Sequence, residues 1–179
     1  SQQMRGLVES LLELARVDAG RAQDAQTELD LSALVNDALL PFEPVLFEAG
    51  HTLTARVEDG IRVRGNAAQL RQVVEILLDN ARKALDAGGR ILLEGTPAEG
   101  GYCIHVTDNG RGIAPEDLKR ITEPFYMADK SRSRAQGGAG LGLTVCQKIV
   151  ELHGGTLHFA STLGQGTRVS VFLKGGEGS

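Results

Sequence analysis

The sequence is short of several things. It has no tryptophan, two tyrosines and five phenylalanines in 179 residues. Its two cysteines, Cys103 and Cys146, are too few for a disulfide framework or a cysteine-rich zinc site. A reducing, cytoplasmic setting is the default expectation from that usage. No apolar run approaches the roughly 20 residues of a membrane span, and no signal peptide is visible. An excess of basic charge is also missing. Nineteen Lys and Arg against 23 Asp and Glu leave a net charge of −4 and a pI of about 5.6, which weighs against a general nucleic-acid binder.

What is present is a foldable chain. Apolar residues make up 41%, charged residues 23%, and the mean hydropathy is −0.11, values that exclude a disordered polymer. The length suits one ordinary domain plus a short appendage, or one large domain. A domain of about 150 residues removes roughly 68–70% of its unfolded surface from water, so no staple is needed. Glycine is abundant at 23 residues and clusters late in the chain, which points to backbone geometry built for a ligand. The sequence opens with Ser1 and is read as a fragment.

Periodicity divides the chain. Met4, Leu7, Leu11 and Leu14, with Val8, Leu12 and Ala15 beside them, predict an amphipathic helix over residues 1–20, stopped by Gly20. Residues 21–28 read as a polar linker. A short strand at 28–31 is expected before a helix capped by Ser32, with Pro41 and Pro44 kinking or breaking it. Strands are expected at 51–57 and 61–65, joined at the Asp59-Gly60 turn. Asn66 caps a long helix to about Ala87, with Leu70, Val73, Val74, Leu77, Leu78, Ala81 and Leu85 as its buried stripe, and Gly88-Gly89 ends it. Strands at 90–95 and 102–108, a short helix opened by Pro115, a glycine- and charge-rich segment at 123–140 and a helix from Gly140 to His153 follow. Strands at 156–161 and 167–173 precede a disordered tail, 175–179. Hairpin-linked strands with intervening helices predict a mixed, mostly antiparallel sheet covered by helices on one face.

Five constellations carry chemical potential. Asn80 and Lys83 stand one turn apart in LLDNARK, an amide oxygen suited to Mg²⁺ and an ammonium suited to phosphate, or simply a solvated helix face. Asp108 heads DNGRG after a strand, either accepting from an exocyclic amine such as adenine's or closing an Asx-type turn. The glycines of GGAGLGL, 137–143, open a helix, as an anion site or a hinge. It is neither a Walker A loop nor a dinucleotide fingerprint, because the lysine and the preceding strand are missing. Lys130, Arg132 and Arg134 precede it, able to close over a triphosphate or to form a solvated charge run, while Phe125 and Tyr126 anchor that segment or fill core. Gly164-Gln165-Gly166-Thr167 is a hairpin turn whose threonine could also reach a ligand's base.

In this order the five resemble the catalytic ATP-binding domain of sensor histidine kinases from two-component systems. The wider group includes the type II topoisomerase ATPase, the mismatch-repair ATPase and the large ATP-dependent heat-shock chaperones. LLDNARK is similar to the family's N box, DNGRGI to its first glycine box, EPFY to its F box, GGAGLGL to its second glycine box and GQGT to its third. The segment MRGLVESLLELARVDAG resembles the end of the second helix of the dimerisation and phosphoacceptor hairpin.

The resemblance implies a two-layer α/β (α+β) sandwich with an ATP lid over residues 29–174, preceded by that helix (1–20) and the linker (21–28). It implies ATP and Mg²⁺ as cofactors, with Asn80 at the metal and Lys83 at a phosphate. Asp108 would take the adenine amino group, beside Gly110, Gly112 and Ile113. Lys130 and Arg134 would be lid residues, Tyr126 of the F box would join the nucleotide-binding set, and Gly138, Gly140, Leu141 and Gly142 would offer backbone to the phosphates. Thr167 would lie near the base. Two positions depart from the family's usual pattern: Ile76 where a second asparagine is common, and Ala84 where an aromatic is common.

The implied activity is transfer of the ATP γ-phosphoryl group to a histidine outside this chain, then relay to a response regulator receiver domain. A homodimer is implied for the full-length protein, with no nucleic-acid partner and no membrane contact by this fragment. The location implied is cytoplasmic, including the cytoplasmic portion of a membrane-bound sensor. His51, His105, His153 and His158 lack the acidic helical neighbour expected of an acceptor. An ATP-gated conformational module and a degenerate, non-catalytic signalling domain are the alternatives.

Overall fold

A buried stripe on one long helix and alternating apolar residues on the strands define the architecture. The computed structural model describes Leu12, residues 26–123 and residues 142–175. In chain order its elements are β1 (Thr27–Asp30), α1 (Leu31–Leu39), α2 (Phe42–Glu48), β2 (Thr52–Val57), β3 (Arg62–Gly65), α3 (Ala67–Ala84), β4 (Arg90–Ala98), β5 (Gly101–Asp108), α4 (Pro115–Leu118), α5 (Gly142–Leu152), β6 (Thr156–Thr162) and β7 (Gly166–Lys174).

Five strands form one mixed sheet in the order β2-β4-β5-β7-β6. Only β2 and β4 run parallel; the other neighbours are antiparallel. Ile91 and Leu93 of β4, Tyr102, Ile104 and Val106 of β5, and Val171 and Leu173 of β7 alternate onto one buried face. That face meets Leu70, Val73, Val74, Leu77, Leu78 and Ala81 of α3, and Val145, Cys146, Ile149 and Val150 of α5, in one core. Burying a leucine of this kind contributes roughly 1.5–3 kcal/mol. The α3 stripe is as the sequence predicts, Leu85 included.

Four local expectations are corrected. The cap of α1 is Asp30, whose carboxylate accepts the Ala33 N–H at 3.0 Å. Ser32 is instead buried inside the helix, where its hydroxyl donates to the Glu58 carbonyl at 2.5 Å and accepts the Ile61 N–H at 3.1 Å. It ties α1 to the turn after β2, a long-range demand that local propensity does not contain. Second, β2 and β3 do not form a hairpin. β3 pairs with β1 in a separate two-stranded sheet, and β2 pairs with β4.

Third, α3 stops at Ala84, not near Ala87, and Leu85 is already extended. The Lys83 and Ala84 carbonyls are taken by Arg111, through its Nη1 and its backbone N–H, so they are not left to further helical turns. Fourth, β1 begins at Thr27, inside the expected linker, with Thr27 paired to Gly65. Pro41 does break the helix, and Pro44 falls in the first turn of α2, where its missing N–H has no helical partner to lose. Of the cysteines, Cys146 is buried and Cys103 half-buried on the opposite face of the sheet. No helix among the described residues is long and apolar enough to cross a membrane.

Candidate functional site

The last turns of α3, the loop after β5, the β6–β7 corner and the start of α5 converge at one end of the sheet. The convergence is hydrogen-bonded. Arg111 donates its backbone N–H to the Ala84 carbonyl at 3.0 Å and its Nη1 to the Lys83 carbonyl at 3.1 Å. Its own carbonyl accepts the Gly164 N–H at 2.6 Å. Arg111 therefore joins the loop at 109–112 to α3 on one side and to the β6–β7 turn on the other.

Asp108 closes β5 and is 7% exposed. It stands directly across from Ile91 on β4 and from Thr167 on β7. Its Oδ1 accepts the Gly110 N–H at 2.8 Å, an Asx-type turn. Burial raises its carboxyl above the ordinary range, against the pull of the Gly110 and Thr167 backbone N–H groups and the Arg111 charge. The turn and a ligand role are compatible, because Oδ1 is engaged in the turn and an ionised carboxylate has a second oxygen.

The glycines here answer to protein backbone. A Cβ on Gly110 would overlap the Ala84 carbonyl. One on Gly112, at φ +72°, would overlap the Thr162 carbonyl, and one on Gly166, at φ +136°, would overlap the Asp108 carbonyl. They allow three chain segments to touch around Asp108.

Asn80 and Lys83 project from the adjoining turns of α3, both half-buried. Among the described residues no hydrogen bond engages the Asn80 amide. Lys83 Nζ lies 3.0 Å from Asp79 Oδ2, and Arg82 holds Asp79 Oδ1 at 2.7 Å. Burial alone would raise the Asp79 carboxyl; hydrogen bonds and charge from Arg82 and Lys83 outweigh it and hold it below the usual range. Ile76, one turn before Asn80, sits where a Cβ on Gly142 would be 3.5 Å from its Cγ2. This departure from the family pattern thus places an apolar group at the α3–α5 contact. Gly142 is the first described residue of α5. Thr144 donates to the Thr122 carbonyl at 2.7 Å, so the chain leaves and returns at one place around the intervening segment.

Of the residues singled out by sequence, Lys83, Asp108, Gly110, Gly112, Ile113 and Thr167 are joined through Arg111, Ser161 and their neighbours, Asn80 stands one turn before Lys83 on α3, and Gly142 lies by Ile76 of that helix. Tyr126, Lys130, Arg134, Gly138, Gly140 and Leu141 lie outside the described residues. Three contributors escaped the sequence reading. Asp79 is signalled by its four-residue spacing to Lys83. Arg111 had no local signal, because its partners are carbonyls on a distant helix. Ser161 pairs with Thr167 across the β6–β7 hairpin, a register that alternation around the turn would have revealed.

Three histidines hold hydrogen bonds within the fold. His153 Nδ1 bonds the Ile149 carbonyl at 2.7 Å, so it carries the proton, and Nε2 accepts the Asn66 N–H at 3.0 Å. Burial lowers its pKa, outweighing the Ile149 carbonyl, so the neutral ring is the working form at a helix end where charge would otherwise be favoured. His51 Nδ1 accepts the Gly89 N–H, and His105 bonds Ser170.

Comparison with known proteins supplies the relatives. A family model described as histidine kinase-, DNA gyrase B-, and HSP90-like ATPase matches residues 65–177. The sensor protein SrrB of Staphylococcus aureus is 30% identical over 173 residues, covering 97% of this chain and 30% of that protein. The chain therefore spans under a third of the length of the curated relatives it matches. The catalytic domain of histidine kinase ThkA superposes with a TM-score of 0.74 at 23% identity, over 84% of this chain and 98% of that one. Full-length ShkA in complex with AMPPNP superposes with a TM-score of 0.82 at 26% identity, over 98% of this chain and 37% of that one. The fold is that of a histidine kinase catalytic domain.

Proposed function

The chain belongs to the histidine kinase-, DNA gyrase B-, and HSP90-like ATPase family, and we propose from this premise that it is the ATP-binding catalytic part of a sensor histidine kinase. Its reaction is transfer of the γ-phosphoryl group of ATP to a histidine outside this chain, followed by relay to a receiver domain of a response regulator. One observation carries the reading. Arg111 ties the loop after the buried Asp108 to the Lys83 and Ala84 carbonyls at the end of the helix that carries Asn80, which supports a shared site.

Residues divide by ligand part. Asp108 accepts from the adenine amino group, and Thr167 lies beside it at the base. Gly110, Gly112 and Ile113 border the ring. Lys83 and the Gly142 backbone meet the phosphates. Tyr126, Lys130, Arg134, Gly138, Gly140 and Leu141 complete the phosphate side and the lid by sequence pattern alone. Residues 1–20 supply the end of the dimerisation hairpin, so the full-length protein is a homodimer.

The residues present suit Mg²⁺. Among the described residues no group of three His, Cys, Asp or Glu side chains could hold a metal by itself. The Asn80 amide oxygen is the matching donor for an ion that keeps several waters and draws its other ligands from nucleotide phosphates. When bound, Mg²⁺ neutralises charge on the triphosphate. The protein's own work is positioning and electrostatic stabilisation. Lys83 adds a positive charge, Asp79 holds that ammonium in place before nucleotide arrives, and Asp108 orients the base.

Calorimetric titration of the chain with ADP and a non-hydrolysable ATP analogue tests the assignment, with and without Mg²⁺ and beside Asn80→Ala. Binding that Mg²⁺ strengthens in the parent but not in Asn80→Ala is expected. Absence of binding by the folded parent chain would refute the reading.

A further inference from the structure

Ser161 is buried in hydrogen bonds that serve its neighbours. Its hydroxyl oxygen accepts the Ile113 N–H at 2.8 Å. It donates to the Gly166 carbonyl at 2.9 Å. It also lies 2.8 Å from the Thr167 hydroxyl oxygen, directly across the β6–β7 ladder. A serine hydroxyl has one hydrogen and two lone pairs. The Gly166 carbonyl can only accept, so that one hydrogen belongs to it. Two oxygens at 2.8 Å still need a proton between them, and Thr167 has to supply it. Serine is then complete: one bond donated, two accepted.

The consequence falls on Thr167. With its hydrogen committed to Ser161, its remaining capacity is lone pairs. Thr167 and Asp108 face each other on the same side of the sheet. The two side chains thus present acceptors and no donor. A 6-aminopurine offers N–H donors there, whereas a 6-oxopurine offers a carbonyl oxygen that would meet lone pairs. A site that hydrogen-bonds one edge rejects the analogue lacking it, because the buried groups are left unpaired.

Building on the nucleotide-site reading above, we propose that Ser161 is a positioning residue that holds the Thr167 hydroxyl as an acceptor toward the purine edge and so widens the preference for ATP over 6-oxopurine triphosphates. Removing the serine hydroxyl frees the threonine hydroxyl to rotate and donate, and the site accommodates O6 better.

The test is the ratio of ATP to ITP affinity, measured by calorimetry on the whole chain. Ser161→Ala is expected to shrink the ratio by about tenfold, the scale of one hydrogen bond. Ser161→Thr, which restores the hydroxyl on a strand-compatible side chain, is expected to keep the parent's ratio. Thr167→Val removes the acceptor and is expected to shrink the ratio too, with the Ser161→Ala/Thr167→Val pair no lower than Thr167→Val alone. Equal losses for ATP and ITP in Ser161→Ala, leaving the ratio unchanged, would reduce Ser161 to scaffolding and overturn the proposal. If Ser161→Ala does not fold by circular dichroism, an unchanged ratio in Thr167→Val overturns it instead. A parent chain that binds neither nucleotide defeats the site reading itself, a result distinct from binding without a ratio change.

Discussion

Asp108 and Thr167 stand directly opposite each other on antiparallel strands β5 and β7, both nearly buried, at the end of the sheet where the DNGRG loop begins. The first is the only acidic residue among the buried side chains of the described residues. Burial of its carboxyl opposes stability, against the pull of the Gly110 N–H in the turn it closes.

That conflict is measurable. Burial raises the folded carboxyl of Asp108 above its ordinary 3.8, so folding disfavours its ionised form relative to the unfolded chain. A raised acid contributes stability below its unfolded pKa and loses it as pH rises through the folded value. At pH 7 the ionised, buried group is therefore destabilising. Asp108→Asn, which keeps an oxygen for the Gly110 N–H, is expected to raise the melting temperature of the nucleotide-free chain at pH 7. The same change is expected to weaken ATP and adenosine binding alike, by about tenfold or more. Thermal melts and titrations on one preparation check both halves.

The phosphate role proposed for Lys83 is separable from binding of the base. Lys83→Met keeps the aliphatic stem and leaves Asp79 paired with Arg82. ATP affinity is expected to fall about 10- to 100-fold, the loss of a charge-assisted bond, with adenosine affinity unchanged. The salt dependence of ATP binding is expected to flatten. An equal loss for adenosine would remove Lys83 from the phosphate site.

His153 makes the fold pH-sensitive in a stated direction. Its folded pKa is lowered from 6.5 by burial. The neutral ring's contribution is full above the unfolded pKa and is lost as pH falls through 6.5 toward the folded value. Protonation would set a second N–H against the Asn66 N–H that Nε2 now accepts at the start of α3. The urea midpoint is expected to drop between pH 7.5 and 5.5, and His153→Gln is expected to flatten that drop while lowering stability at pH 7.5 by about 1–3 kcal/mol.

Much of this was legible in the linear chain. The α3 stripe, the Asn66 cap, Pro115 opening α4 and the strand alternation obey local rules of period and capping, and they appear where those rules put them. Asn80, Asp108 and Thr167 were picked out by residue type and order, and the structure puts Asp108 opposite Thr167 at the end of the sheet. Pairing was less readable. The Asp59-Gly60 turn looks like a hairpin, yet β3 joins β1 and β2 joins β4, because strand partners are chosen by long-range packing.

The sequence by itself determined the elements, the buried face and the family chemistry, since periodicity, caps and side-chain functional groups are local properties. Only the tertiary structure decided where α3 ends, why Gly110, Gly112 and Gly166 admit no side chain, and that Asp79, Arg111 and Ser161 contact the candidate residues. Those outcomes depend on backbone groups from distant segments meeting within hydrogen-bond distance, and no window of sequence contains both partners.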